Sequence, residues 1–366
     1  MRRLRNSCLL ICAAATLFVA FASAQDAPAT IKAEIARLQQ SLKDHPVSDK
    51  DFGEIASTAG STLQAAAQAL DAGQVYLALE RLARGQDLLE AARAGVDKAN
   101  LAKSGAAAFD SAWEEVSLRL TALDKEAHAR TWDNKPLAVR ALSESAQGKA
   151  IPLLDGSRGF ATANGPKDGL LYMGQAEGEA AFSKFAASLN LTSSKAPFPL
   201  RSFLPELQSL QTKTNAAFQP PKSIDLHDRF IALNSAIKLA EELDSTRFYA
   251  GALYEYLGAV RHYAMLTAPP LDTAQQGRLK EDLAAARNKL VDSRDDDSIA
   301  QLYLERAESQ IFHVDGSAPS ADEWRSSRVI LDQVLPAYYA ARKPAAPLQK
   351  TAGKTVDITL VRWPYT

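Results

Sequence analysis

Cysteine is almost absent from this 366-residue chain, and its two cysteines, Cys8 and Cys12, both lie in an apolar N-terminal stretch. The rest of the chain therefore cannot form disulfides, thiolate zinc sites, iron–sulfur clusters or a cysteine nucleophile. Histidine is also scarce: the five histidines are scattered, and none belongs to an H-E-x-x-H zinc motif. We therefore expect neither a metal site nor a cofactor.

The chain has no excess of basic side chains, with 42 lysines and arginines against 43 aspartates and glutamates. Proteins that bind nucleic acid carry basic patches that neutralise phosphates, and anionic lipid is attracted in the same way. Beyond residue 24 there is also no apolar run long enough to cross a bilayer. We expect no nucleic-acid partner and no transmembrane segment in the mature chain.

Residues 1–24 have the three parts of a secretory signal peptide. Three arginines within the first five residues are followed by an apolar stretch, which is short for a membrane span, and by the small residues at 22–24. Cleavage near Ala24 would release a chain that begins at Gln25 and is periplasmic or secreted. The alternative is an uncleaved N-terminal anchor.

Helix-type hydrophobic periodicity dominates the remainder of the chain. Short loops rich in glycine and proline separate the predicted helices, which favours antiparallel neighbours. The sequence thus predicts an all-α fold: an array of antiparallel helical hairpins with a single strand-like C-terminal tail. An irregular stretch at 192–200 divides an N-terminal helical unit (25–191) from a C-terminal helical unit (201–341).

Two loop segments have superficial similarity to functional motifs. The glycine-rich segment at 155–165 has no preceding strand and no Gly-Lys-Ser/Thr, so we interpret it as a loop or helix end rather than a phosphate-binding loop. The acidic run at 292–298 lacks the central glycine and closing glutamate of a calcium loop. We expect this run to cap the helix that begins near Ser298, because carboxylates at a helix N-terminus accept unpaired N–H groups.

The segment 247–266 has the most specific helical pattern. It matches Y-x-x-A-L-x-x-Y-x-x-A-V through Tyr249, Ala252, Leu253, Tyr256, Ala259 and Val260. This pattern resembles the second helix of a tetratricopeptide repeat, and the resemblance is clearest over 233–266. It implies a hairpin in which small alanines let two helices approach each other. Elsewhere the pattern decays, so another helical array or bundle is the alternative.

No catalytic motif emerges, and we expect a protein without enzymatic activity: an exported helical scaffold that binds other proteins of the cell envelope. The alternative is a ligand-binding protein or enzyme with a site around the aromatic helix at 247–266. Tyr254 and His262 discriminate between these functions, because they lie off the apolar stripe of that helix. If both line a closed pocket with other polar groups, the alternative gains support.

The stretch 355–366 alternates apolar and polar residues like a β-strand, and it follows a linker at 342–354. A lone strand is unstable, because its backbone N–H and C=O groups need a partner. We expect this tail either to lie along the protein's own helices or to add to the sheet edge of another protein. Arg362 and Trp363 are its candidate interaction residues, since both residue types are common anchors of interfaces.

Overall fold

The computed structural model describes residues 26–47, 50–97, 106–219 and 224–343. Within these ranges the chain is helical and contains no β-strand apart from one isolated bridge, so the predicted all-α class is confirmed. The predicted signal peptide, most of the linker at 342–354, and the tail with Arg362 and Trp363 lie outside the described residues.

The described helices follow one another through short connections. In chain order they are α1 (Ala27–Asp44), α2 (Lys50–Asp71), α3 (Val75–Asp97), α4 (Ala106–Ala129), α5 (Leu137–Asn164), α6 (Pro166–Ser188), α7 (Leu204–Ala217), α8 (His227–Ser245), α9 (Tyr249–Thr267), α10 (Thr273–Val291), α11 (Ser298–Ile311), α12 (Ala321–Val329) and α13 (Leu335–Ala341). A 3₁₀ turn precedes α8 at Ile224–Leu226, and a π-helical segment at Ile330–Val334 joins α12 to α13.

The glycine-rich segment at 155–165 is the end of a helix, one of the two forms predicted for it, and not a loop. Helix α5 continues through this segment to Asn164, and its end is set by Gly165, whose φ of 105° few other residues adopt. Each glycine inside a helix costs about 1 kcal/mol relative to alanine. Burial of Leu154 and Ser157 on the same helix offsets this cost. This burial cannot be predicted from the neighbouring sequence alone.

Helices α3 and α6 pack unusually close to each other, because α6 has glycines on the face that meets α3. A Cβ atom added to Gly174 would lie 2.4 Å from the carbonyl oxygen of Glu90, and one added to Gly178 would lie 2.9 Å from the Cα of Asp87. Real side chains do not tolerate such distances. The two glycines therefore permit the approach that places charged residues of α3 beside those of α6.

The acidic run at 292–298 caps helices, as predicted. Asp296 Oδ1 accepts a hydrogen bond from the Ser298 N–H at the start of α11 (3.1 Å), and its Oδ2 accepts one from the Leu137 N–H at the start of α5 (2.8 Å). Asp295 and Asp297 form ion pairs with Arg342 after α13. The run thus connects three helices.

Helices α8 and α9 form the predicted hairpin, and Ala252 and Ala259 are both fully buried. The resemblance of this hairpin to a tetratricopeptide repeat stays a prediction, as does the boundary between two helical units at 192–200.

Helices from before and after residues 192–200 contact each other closely. Helix α9 packs against α5, and the Leu77 N–H of α3 donates a hydrogen bond to the buried Glu305 of α11 at 2.9 Å. No helix in the described ranges combines the length and apolarity that crossing a membrane requires.

Candidate functional site

A cavity of about 880 Å³ lies where α3, α5, α6, α8, α9 and α11 meet. Leu142, Ala146 and Leu153 of α5 and Leu239 of α8 contribute apolar side chains to its wall. The remaining wall carries an unusual concentration of charged groups from several helices. Cavities of a few hundred to about 1,000 Å³ with this mixture of apolar and polar groups are typical ligand sites.

One wall of the cavity is a single face of α6. Tyr172, Gln175 and Glu179 all line the cavity, and their i, i+3, i+7 spacing places them above one another on the helix. Tyr172 stacks on Phe160 of α5 with ring centroids 4.0 Å apart, and this aromatic pair also lines the cavity. Helix α6 therefore presents an aromatic ring at one end of the face and a carboxyl group at the other.

Glu80, Tyr254 and Arg306, which we call the bridging triad, occupy the side of the cavity formed by α3, α9 and α11. Arg306 forms an ion pair with Glu80, and the Tyr254 hydroxyl donates to the same Glu80 Oε1 atom. The second Glu80 oxygen accepts from Arg306 Nε at 3.2 Å. Burial opposes ionisation of Glu80, but Arg306 and Tyr254 outweigh it and hold the pKa of Glu80 below its ordinary value.

The other side of the cavity is lined by four members of what we call the carboxylate cluster, Arg84, Asp87, Lys149 and Glu179; its fifth member, Glu255, pairs with Lys149 and does not line the cavity. Lys149 Nζ lies 3.1 Å from Glu255 Oε1, and Arg84 Nη1 lies 2.5 Å from Asp87 Oδ2. The Asp87 Oδ1 atom is buried and has no hydrogen-bond partner in the described part of the chain. Glu179 is only 9% exposed, and the charged groups that act on it are Lys149, Asp87, Glu255 and Arg84.

The electrostatics of Glu179 follow from this arrangement. Burial raises its pKa to about 8, Asp87 and Glu255 add to the shift, and Lys149 and Arg84 oppose it. Burial likewise raises the pKa of Asp87 against the effect of Arg84 and Lys149. The cluster has three carboxyl groups but only two cationic groups. Burial therefore favours the protonated form of Glu179, and in the same direction that of Asp87.

The structure separates the two residues that the sequence singled out. Tyr254 lines the cavity as a member of the bridging triad, whereas His262, farther along the same helix, is half-buried and is not part of the wall. Burial lowers the pKa of His262, and the charges of Arg261 and Arg306 lower it further. The condition that both residues line one pocket is therefore not met, since only Tyr254 lines the cavity.

Sequence reasoning missed the carboxylate cluster, because its members come from four helices that are far apart in the chain. A weak signal was present on α6. Glu179 stands between Ala176 and Phe182, which are fully buried, so the helical pattern places a carboxyl group inside the protein. A charged residue on a buried helix face needs a partner or a function.

The cavity has no evident metal chemistry, since no group of three or more His, Cys, Asp or Glu side chains among the described residues could hold a metal ion. No protein-family model matches the chain, and no curated protein or solved structure shows significant similarity to it.

Proposed function

We propose that this protein binds a small organic ligand in the cavity between its helices and has no catalytic role. The observation that carries this proposal is Asp87 Oδ1, a buried carboxylate oxygen without a hydrogen-bond partner among the described residues, in the wall of a cavity of about 880 Å³ that the nine-tenths buried Glu179 also lines. A buried polar group without a partner is costly, and a bound ligand that pairs with it would remove that cost. The apolar part of the wall would receive the body of the ligand.

Ion pairs within the protein engage other charged groups of the cavity wall, and this supports a binding role without catalysis. Glu80 is paired with Arg306, and Lys149 with Glu255. Ser145, the serine beside them, donates its hydroxyl to Glu255 Oε1 at 2.5 Å, and Lys149 pairs with the same oxygen at 3.1 Å. A nucleophile needs an adjacent base that can take up its proton, and Glu255 is already engaged in this ion pair. These groups instead fix the shape and charge of a binding site.

We also propose, from the sequence, that the chain is exported, is cleaved near Ala24 and acts in the periplasm or outside the cell. The order of basic, apolar and small residues at 1–24 supports this proposal. Mass spectrometry of the protein from its native host should find Gln25, or a residue next to it, at the N-terminus. A protein that retains Met1 would contradict cleavage.

Ligand binding can be tested with a pair of tryptophan variants on α5. Gly156 lines the cavity, and a Cβ atom added there meets only the Phe160 ring at 4.0 Å, so the indole of Gly156→Trp would occupy the cavity. Gly159 lies on the same helix, does not line the cavity and has nothing within 4 Å of an added Cβ. Gly159→Trp is therefore the matched control.

The measurement is the melting temperature with a panel of small probes: 2-phenylethylamine, 2-phenylethanol, 3-phenylpropanoate, 1,5-diaminopentane, glutarate and glucose. A ligand at about 100 times its Kd stabilises the native state by about 2.7 kcal/mol. We expect at least one probe to raise the melting temperature of the unmodified protein and of Gly159→Trp, but not of Gly156→Trp. The proposal fails if no probe has an effect, or if the effect persists in Gly156→Trp.

The second candidate function is the envelope scaffold expected from the sequence. It is favoured by apolar side chains on the outer surface after α11, where Phe312 and Val314 are 52% and 75% exposed. Such exposed pairs are common at protein interfaces. A Phe312→Ser/Val314→Ser variant should then lose an envelope partner that the unmodified chain retains. Truncation after Lys354 would show separately whether the tail contributes to this interaction.

A further inference from the structure

We propose that the ligand is an organic cation, a primary amine with an apolar body, whose ammonium group pairs with Glu179 and with the unpartnered oxygen of Asp87. This inference rests on the proposed function, and it adds the chemical class of the ligand and the residues that select it. It is argued from four features of the cavity: the position of the two carboxyl groups, the charge balance around them, the wall beside them and the length of the α6 face.

Asp87 lies on α3 and Glu179 on α6, and these two helices pack closely together next to both residues. A Cβ atom added to Gly178, the residue before Glu179, would lie 2.9 Å from the Cα of Asp87 and 3.1 Å from the carbonyl oxygen of Gln86. Asp87 is only 3% exposed, and its Oδ1 atom has no partner in the described ranges. Neighbouring carboxyl oxygens of this kind present acceptors to a donor with several N–H groups, and an ammonium group has three.

The charge balance around Glu179 is one positive charge short. The groups that face it are Arg84 and Asp87 from α3, Lys149 from α5 and Glu255 from α9. Arg84 is directed to Asp87 Oδ2, and Lys149 is directed to Glu255, so neither cation forms a hydrogen bond with Glu179. A ligand cation would therefore complete a cluster of three carboxylates and three positive charges. An anionic ligand at the same place would be repelled as soon as Glu179 ionised.

The wall beside Glu179 suits an organic cation better than a metal ion. No group of three or more His, Cys, Asp or Glu side chains in the described ranges could hold a metal. The neighbouring wall instead contains Leu142, Leu153 and the stacked rings of Phe160 and Tyr172. Aliphatic side chains and aromatic faces attract the apolar body of an amine, and the aromatic faces also attract its positive charge.

The α6 face also sets a length scale for the ligand. Tyr172 and Glu179 are seven residues apart, which corresponds to about 10 Å along a helix. An amine with a short chain and an aromatic ring would reach from the carboxyl group toward the aromatic pair. We therefore take 2-phenylethylamine as the first probe.

Binding should displace a proton in a way that can be measured. In the absence of ligand, Glu179 holds its proton, because burial raises its pKa to about 8. When the ammonium group pairs with the carboxylate, the carboxyl O–H bond breaks and the proton passes to solvent, while the amine keeps its own protons. In the net reaction, a neutral carboxyl group and an ammonium group form a carboxylate–ammonium pair and release one proton. Cation binding near neutral pH is thus coupled to proton release.

The experiment is isothermal titration calorimetry of the mature chain with 2-phenylethylamine, 3-phenylpropanoate and 2-phenylethanol, which share one body and differ in charge. Titrations at neutral pH in two buffers of different ionisation enthalpy give the number of protons released. We expect the amine to bind most tightly and to release close to one proton. Since losing one partner of a buried charge pair costs 2 kcal/mol or more, Glu179→Gln should weaken amine binding at least about 30-fold.

Glu177→Gln is the matched control, because Glu177 lies on the same helix, pairs with Arg119 and is not part of the cavity wall. It should bind the amine as the unmodified protein does. Amine binding that is equally tight in Glu179→Gln, or that releases no proton, would overturn the inference. If only the alcohol or the carboxylate binds, and Gly156→Trp abolishes that binding, the cation inference fails while the proposed function stands. If none of the three binds, the inference fails as well.

Discussion

Glu80 of α3 and Arg306 of α11 form an ion pair across 226 residues of sequence, and the Tyr254 hydroxyl of α9 donates to the same carboxylate. Their side chains are only 17% and 18% exposed. The bridging triad thereby connects a helix of the predicted N-terminal unit to two helices of the predicted C-terminal unit. It also forms one side of the cavity, so the stability of the fold and the shape of the site depend on the same three side chains.

The first prediction concerns this ion pair. Glu80→Gln or Arg306→Met should each lower the free energy of unfolding by about 3–5 kcal/mol, because each leaves a buried charge without its partner. The double variant should lose clearly less than the sum of the two single losses. Urea unfolding of the four proteins measures this coupling. Additive losses would show that the pair does not act as a unit.

The exposed pair between Lys32 and Asp71 is the control, with side chains that are 68% and 65% exposed. Solvent screens such pairs, so Asp71→Asn should change the free energy of unfolding by less than about 1 kcal/mol. If Asp71→Asn destabilises the protein as much as Glu80→Gln does, burial is not what distinguishes the bridging triad.

The second prediction concerns the pH dependence of stability. Burial raises the pKa of Glu179 from 4.5 to about 8, so the protonated form is the one that the native state favours. This contribution to stability is complete below the unfolded-state pKa and is lost as the pH rises through the folded-state pKa. The melting temperature of the unmodified protein should therefore fall more steeply between about pH 5 and pH 9 than that of Glu179→Gln.

The melting curves of Glu177→Gln should follow those of the unmodified protein over the same range, because its side chain does not line the cavity. Parallel curves for the unmodified protein and Glu179→Gln would mean that Glu179 does not keep its proton in the native state. The charge balance proposed for the carboxylate cluster would then be wrong.

The third prediction concerns the close contact of α3 and α6. Gly174→Ala should destabilise the protein by about 1–3 kcal/mol, since overpacking forces neighbouring groups to shift; the added Cβ would lie 2.4 Å from a backbone oxygen of α3. Gly159→Ala is the control, because nothing lies within 4 Å of its added Cβ. It should stabilise the helix by up to about 1 kcal/mol. Chemical unfolding distinguishes the two, and equal effects would contradict the contact.

The fourth prediction concerns the α8–α9 hairpin. Ala252 is fully buried in this hairpin, so Ala252→Leu should cost about 1–3 kcal/mol through overpacking. Ala285 of α10 is exposed, and Ala285→Leu should leave the melting temperature nearly unchanged. An unaltered melting temperature for Ala252→Leu would show that this face of α9 is not a packed interface.

Much of the fold could be predicted from the sequence, because helical periodicity and end signals are local. The all-α class and the capping role of the acidic run at 292–298 agree with the structure for this reason. For the segment at 155–165 the sequence left a loop and a helix end open, because its glycines favour a loop locally while burial of Leu154 and Ser157 favours a helix. That burial depends on neighbours distant in sequence.

The candidate site could be predicted only in part. Tyr254 was chosen from its position off the apolar stripe of α9, and it lines the cavity. Glu179, Lys149 and Asp87 could not be found in this way, because each is unremarkable in its own helix and becomes significant only when the helices are brought together. The residues of this site are close in space because their helices pack together, and they are far apart in sequence.

The most direct measurement is the titration of the Glu179 carboxyl carbon by NMR in protein labelled with ¹³C-glutamate, with the resonance assigned by its absence from Glu179→Gln. Without ligand, the account predicts a midpoint near the pKa of about 8 that burial imposes. Saturating 2-phenylethylamine should lower this midpoint by more than about one pH unit, because the ammonium group stabilises the carboxylate. A midpoint near the ordinary glutamate pKa of about 4.3 that the amine does not change would contradict the proposal that Glu179 binds the ammonium group of a cationic ligand.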